Sequence, residues 1–134
     1  MDDDGFVYAN TIHETLGIRQ VEASADRVVL TMDVGPTVHQ PMGLLHGGAS
    51  AVIAESAASM GAFLNCGPGE VSMGTDLNIS HLRAKTDGSV TATATPIRKG
   101  RSLHVWGIDI VGEDGRAVAV ARCTIAIRQL NDSG

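Results

Sequence analysis

The sequence predicts an α+β domain in which an antiparallel β-sheet wraps around one long central helix. Three features carry that prediction. Residues 46–64, HGGASAVIAESAASMGAFL, read as a helix that is apolar on every side, and such a helix belongs in a core. The segments flanking it alternate apolar and polar residues with a period of two, the pattern of half-buried strands. Short turns separate those segments, and strands joined by short turns pair antiparallel. A single apolar helix inserted after the first hairpin must then lie across the concave face of the sheet.

In chain order, residues 1–5 are an acidic start expected to be disordered, and residues 6–16 a short helix or an irregular cover. Residues 17–23 and 27–34 read as a hairpin, with Val28, Leu30, Met32 and Val34 on one face. Gly35-Pro36 ends it, and a loop over residues 37–45 leads into the helix. Cys66-Gly67-Pro68-Gly69 stops the helix, as glycine and proline after a helical run usually do. Val71, Met73, Thr75, Leu77 and Ile79 then mark one long strand carried on to His81 and Arg83, before a turn at Asp87-Gly88. Val90, Ala92 and Ala94 alternate with Thr91, Thr93 and Thr95, and Pro96 is expected to end or edge that strand. After a basic turn around Gly100, His104, Trp106, Ile108 and Ile110 share a face. Glu113-Asp114-Gly115 turns into the last strand, where Ala117, Ala119, Ala121, Cys123, Ile125 and Ile127 face one way. The last four strands are expected to form a meander in chain order. No repeat or linker divides residues 1–134, so one domain is expected.

A chain of 134 residues has room for one core of ordinary size. Its net charge of -5 argues against a general nucleic-acid binder. No apolar run approaches a membrane span. Two cysteines, Cys66 and Cys123, are too few for a disulfide framework, and the start is not signal-like, so the cytoplasm is the expected compartment. No metal-ligand spacing of Asp, Glu, His or Cys is visible. The charge is uneven, however. Five of the ten basic residues, Arg83, Lys85, Arg98, Lys99 and Arg101, lie between positions 83 and 101, where Asp87 is the only acid. Such a zone can attract a phosphorylated ligand, although solvated strand ends produce one as often.

Glu55 is the one ionisable residue inside the apolar helix. A carboxylate there has a partner or a purpose: it caps a buried polar network, grazes solvent, or acts as a general base or nucleophile. Two glycines, Gly47 and Gly48, open the helix and leave its first N–H groups unshielded at the positive end of the macrodipole. Such an end can hold a carbonyl oxygen gaining negative charge. A carboxylate and an oxyanion site on one element suggest acyl transfer. The two are about 13 Å apart along the helix, so the simplest shared site sets Glu55 of one copy against the helix start of another, in a two-fold pair.

The segments QPMGLLHGGASAVIAES, with Ser59 beyond it, GTDLNISHLR and IRKGRSLHVW closely resemble the hotdog-fold acyl-CoA thioesterases. They are most similar to the subgroup holding 1,4-dihydroxy-2-naphthoyl-CoA hydrolase, the enterobactin-proofreading thioesterase and the glutamate-type 4-hydroxybenzoyl-CoA thioesterase. The match runs from about residue 17 to residue 127, and its specificity lies in an HGG with Gln six residues before the His and Glu nine after. The resemblance implies a hotdog fold and hydrolysis of an aromatic or medium-sized acyl-CoA by a dimer or dimer of dimers. It implies that CoA is part of the substrate and that no separate cofactor is needed. It implies that Glu55 attacks the thioester carbonyl or activates water, that Gln40 and His46 contact the thioester, and that the N–H of Gly47 or Gly48 polarises the carbonyl. Ser59, one turn beyond Glu55, shares its face and is suited to orienting water. For CoA the resemblance points to Gly74, to His81 and Arg83, and to the turn Arg98, Lys99, Gly100, Arg101 and Ser102, which coincides with the basic zone; guanidinium groups suit phosphate oxygens. The N-terminal segment, which can cover the acyl pocket, is shorter than in those relatives. Two other readings stand beside this one: a hydratase or dehydratase of acyl thioesters, and a non-catalytic acyl-CoA binding domain.

Overall fold

The helix expected over residues 46–64 runs over Gly47–Phe63 (α2) in the computed structural model, which describes residues 6–130. It is preceded by a short helix, Ile12–Leu16 (α1), and the strands Ile18–Ala23 (β1) and Val28–Asp33 (β2). It is followed by Glu70–His81 (β3), Ser89–Lys99 (β4), Leu103–Gly112 (β5) and Ala117–Gln129 (β6). The loop before α2 holds a 3-10 turn, Pro36–Val38, and a bridge between His39 and Leu45. The expectation for residues 1–5 lies outside the described residues. The six strands form one antiparallel sheet around α2, which packs against every strand. This is the hotdog arrangement.

The strand order is β1-β2-β4-β5-β6-β3, which corrects the expected four-strand meander. Of the last four strands, only β4, β5 and β6 are neighbours in chain order. Having crossed the sheet on α2, the chain arrives at the far edge, where β3 pairs with β6 from Glu70↔Gln129 to His81↔Ala119. The connection over residues 82–88 brings it back beside β2, with Val28 opposite Ala94. Period-two alternation fixes which face a residue takes and leaves the neighbour undetermined. What separates the two strands is polarity. Asp76, Asn78 and Ser80 of β3 are exposed at an edge, whereas Val90, Ala92 and Ala94 of β4 are fully buried in mid-sheet.

The uninterrupted alternation expected of β3 is also corrected. Its register against β6 slips between Gly74 and Asp76, leaving Thr75 as an extra residue. A bulge of this kind exchanges the two faces of a strand. Before it, Ser72 turns inward and donates through Oγ to the Ser59 carbonyl at 2.9 Å, while Met73 is 49% exposed. After it, Leu77 and Ile79 pack on the core. Pro96 does not end β4, which continues to Lys99 through a second bulge between Pro96 and Arg98. The pairing with β2 stops at Ala94, so on that side no neighbour needs the N–H that proline lacks.

The core is built as the scarcity of aromatics requires, from Leu30, Met32, Ile53, Ile108, Ile110 and Ile125 around Trp106. Small residues let helix and sheet approach: Gly61 lies so close to Trp106 that a Cβ on it would stand 2.4 Å from the ring. The helix is not covered on all sides, contrary to the reading of residues 46–64. Ile53, Ala54, Ala57, Ala58, Met60, Gly61 and Ala62 are buried, but Glu55 is exposed and Ala51, Val52, Ser56, Ser59 and Phe63 are only half-buried. One sheet can cover one side of a helix. The N-terminal segment covers part of the opposite stripe, with His13 Nε2 2.9 Å from Ser56 Oγ and the Phe6 and Phe63 ring centroids 5.5 Å apart.

Candidate active site

The helix start forms the first of three clusters. His46 is the N-cap of α2, in extended backbone conformation, and its Nδ1 accepts the N–H of Gly48 at 2.7 Å. Of the two N–H groups offered by the sequence, that of Gly48 is therefore engaged. Among the described residues the N–H of Gly47 has no partner. The ring of His81 lies against Gly47, where an added Cβ would stand 2.8 Å from Nε2. Gln40 closes the loop before the helix: its Oε1 accepts the N–H of Met42 at 2.5 Å and of Leu44 at 3.4 Å. Gln40, Gly47, Ser50, His81 and Arg83 line a cavity of about 360 Å³.

Glu55, Ser59 and Gly74 form the second cluster, about 12 Å along the helix from Gly47. Glu55 and Ser59 line a cavity of about 370 Å³ with Ala51, Val52, Ser56 and Leu77. Glu55 has no ion pair or hydrogen bond among the described residues. Gly74 faces it across the β3 bulge, and a Cβ there would stand 2.8 Å from Oε2 and 2.9 Å from Cδ. The bulge thus brings a residue without a side chain under the carboxylate. Because the obstructed atoms are the end of a flexible side chain, Gly74→Ala is expected to fold normally and to swing Glu55 aside. A loss of about tenfold or more in kcat at an unchanged Tm is the expected result, read by thiol release and thermal melting.

The basic zone does not form one cluster. Arg83 lies beside the β5–β6 turn, bonded to Asp114 at 3.0 Å, and Lys85 beside it binds Glu113 at 2.7 Å. The Lys85 hydrogen bond, helped by the Glu113 and Ser89 backbone N–H groups, holds the Glu113 carboxyl down at about 2. Arg98, Lys99, Gly100, Arg101 and Ser102 lie at the other end of β4, roughly 30 Å away at 3.3 Å per residue. Lys85 and Arg98 are successive in a linear count of basic residues, yet the length of β4 separates them in space. Lys99 pairs with Asp26 at 2.5 Å, while Arg98 and Arg101 are exposed without an ion pair among the described residues. Gly100 is required by the turn itself, since a Cβ would stand 2.5 Å from the Leu103 carbonyl oxygen.

Other candidates recede. Burial, with Glu55 and Asp76 nearby, pushes the Cys123 thiol up to about 12, and burial with Glu70 raises that of Cys66; neither is suited to a thiolate nucleophile. Among the described residues no group of three or more His, Cys, Asp or Glu is placed to hold a metal. No helix among them is long and apolar enough to cross a membrane. Sequence reasoning passed over His13 and Ser56, whose side chains meet at 2.9 Å beside Glu55. They are 43 residues apart, and no spacing rule links them.

Comparison with known proteins agrees with this fold. Residues 42–119 match the family model described as the thioesterase superfamily. The chain is 43% identical over 118 residues to 1,4-dihydroxy-2-naphthoyl-CoA hydrolase of Listeria monocytogenes, covering 88% of this chain and 96% of that protein. It is 39% identical over 117 residues to the proofreading thioesterase EntH of Cronobacter turicensis, covering 87% and 85%. The crystal structure of a thioesterase from Haemophilus influenzae superposes with a TM-score of 0.89 at 38% identity, covering 93% of this chain and 87% of that one. The chain therefore belongs to the thioesterase superfamily, as a hotdog-fold enzyme that hydrolyses thioesters.

Proposed function

We propose that this enzyme hydrolyses an aromatic or medium-sized acyl-CoA, with Glu55 as nucleophile or general base and the Gly47 N–H polarising the thioester carbonyl. The observation that carries the reading is Glu55 itself: a carboxylate without a partner among the described residues, lining a cavity, with a glycine facing it. In the proposed reaction the thioester oxygen receives the Gly47 N–H at the helix N-terminus, where the macrodipole favours developing negative charge. Glu55 then adds to the carbonyl carbon, or takes a proton from water that does so, with Ser59 orienting the water. Collapse of the tetrahedral species re-forms the carbonyl and expels the CoA thiolate, which takes up a proton. With water as the nucleophile the acid is released directly and Glu55 gives up the proton it took, whereas direct attack leaves a mixed anhydride on Glu55 that a water molecule then hydrolyses to the acid and the free carboxylate. Gln40 and His46 hold the thioester in place. The name of the Listeria relative supports a CoA thioester with an aromatic acyl group, and that of the Cronobacter relative supports thioester hydrolysis.

Gly47 and Glu55 lie too far apart on one helix to reach the same carbon. The proposed enzyme is therefore at least a two-fold dimer in which α2 of one copy meets α2 of the other, giving two shared sites. The half-buried apolar stripe of α2 and the free edge of β3 are suited to such a contact. A thiol-release screen of aromatic, medium-chain and long-chain acyl-CoAs tests the activity. Release from none of them would end the acyl-CoA reading.

Arg98 and Arg101 are the exposed guanidinium groups proposed for the nucleotide phosphates. Arg101→Ala is expected to raise KM severalfold for a CoA ester and to leave KM for the matching pantetheine thioester unchanged. Equal effects on both thioesters would remove the nucleotide from this turn.

A further inference from the structure

The cavity at Glu55 adjoins a larger one of about 470 Å³, and Ser56 and Ser59 line both. The larger cavity lies between α2 and the N-terminal segment, with Phe6, Tyr8, Met60 and Phe63 among its walls. The Tyr8 and His13 rings stack at 5.1 Å, and those of Phe6 and Phe63 are tilted at 5.5 Å. Flat walls of this kind suit a flat guest. A thioester held at Glu55 has this cavity as the neighbouring space for its acyl group.

A polar pair, His13 and Ser56, stands among the cavity walls beside Glu55. His13 Nε2 stands 2.9 Å from Ser56 Oγ, and His13 Nδ1 is buried with no hydrogen-bond partner. Burial lowers the pKa of the ring and favours its neutral form. An orphaned buried N–H is rarer than an under-satisfied acceptor, so the proton belongs on Nε2, which donates to Ser56 Oγ. The Ser56 hydroxyl proton is then unengaged. A helical serine usually returns it to the carbonyl four residues earlier, but Ser56 makes no hydrogen bond besides that to His13 among the described residues.

We infer that Ser56, positioned by His13, donates a hydrogen bond to an oxygen substituent on the ring of an aromatic acyl group, and so selects hydroxylated over unsubstituted aromatic acyl thioesters. This rests on the acyl-CoA thioesterase reading above. A site built to hydrogen-bond a substrate hydroxyl discriminates strongly against the analogue that lacks it.

The test compares kcat/KM for benzoyl-CoA and for 2-, 3- and 4-hydroxybenzoyl-CoA. The wild type is expected to prefer at least one hydroxylated ester by about tenfold or more. Ser56→Ala and His13→Phe, the latter keeping a ring against Tyr8, should each reduce that preference at least about fivefold, by lowering kcat/KM for the hydroxylated ester more than for benzoyl-CoA. Ser56→Thr, which keeps the hydroxyl, should retain the preference. Equal wild-type rates on all four esters, or a ratio unchanged in both Ser56→Ala and His13→Phe, would overturn the inference alone. Turnover of aliphatic but not aromatic esters would also overturn it while leaving the thioesterase reading intact. Failure on every acyl-CoA would remove that reading, and the inference with it.

Discussion

Glu55→Gln is expected to lower kcat by about a hundredfold or more on whichever acyl-CoA the enzyme hydrolyses best, with KM changed only a few-fold. A positioned acid-base group typically supplies that much, and a nucleophilic carboxylate supplies no less. The substitution keeps the shape of the side chain and removes its charge. Its interpretation is unusually direct because Glu55 is exposed and has no ion pair or hydrogen bond among the described residues. Nothing in the described fold loses a partner when the charge goes. Surface changes away from such features usually stay within about 0.5 kcal/mol, so thermal melting of the variant should overlay that of the wild type. Glu55→Ala should lose at least as much activity. A Gln variant that folds and keeps a tenth or more of wild-type turnover would assign the chemistry to another group.

The central helix was legible because a run of Ala, Val, Ile and Met interrupted by one carboxylate has few other interpretations, and its two glycines mark the start. What could not be read was the partition of that helix between a covered and an open side. Hydrophobicity reports that a surface is destined for burial without saying whether its own chain or another supplies the cover. The faces of β2, β5 and most of β6 followed from alternation, since Val28, Leu30, Met32, Trp106, Ile108, Cys123 and Ile125 are all buried; Ala117, expected on the same face, is exposed, because the β5–β6 register shifts at that end. The place of β3 did not follow from alternation, because pairing partners are chosen by polarity and connection geometry over the whole sheet. The bulge at Thr75 escaped for a related reason: Val71, Met73, Thr75, Leu77 and Ile79 keep perfect alternation in sequence while the backbone exchanges faces halfway. That exchange is what sets Gly74 opposite Glu55. The motif residues Gln40, His46 and Gly47 were legible as a group, but the choice between the Gly47 and Gly48 N–H groups depended on the rotamer of His46.

Trp106→Ala is expected to cost about 3–5 kcal/mol, the range for deleting a large buried aromatic, with a fall in Tm of roughly 10 °C or more. Trp106 is fully buried against Gly61 of α2, and its Nε1 donates to His104 Nδ1 at 3.1 Å. Truncation opens a cavity under the helix that carries both Gly47 and Glu55, and it strands a buried ring nitrogen. Gly61→Ala tests the same contact from the other side. The added Cβ would stand 2.4 Å from one Trp106 ring carbon and 2.5 Å from another. Unlike Glu55 opposite Gly74, this neighbour is a rigid ring locked in the core, so overpacking should destabilise by about 1–3 kcal/mol. In the Trp106→Ala background the clash is gone, and alanine is a better helix former than glycine by about 1 kcal/mol. Gly61→Ala should there become neutral or stabilising. That reversal of sign, measured by denaturant unfolding of the two single variants and the double variant, is specific to a direct steric contact. Additive effects would mean that helix and sheet are held apart by something other than this ring.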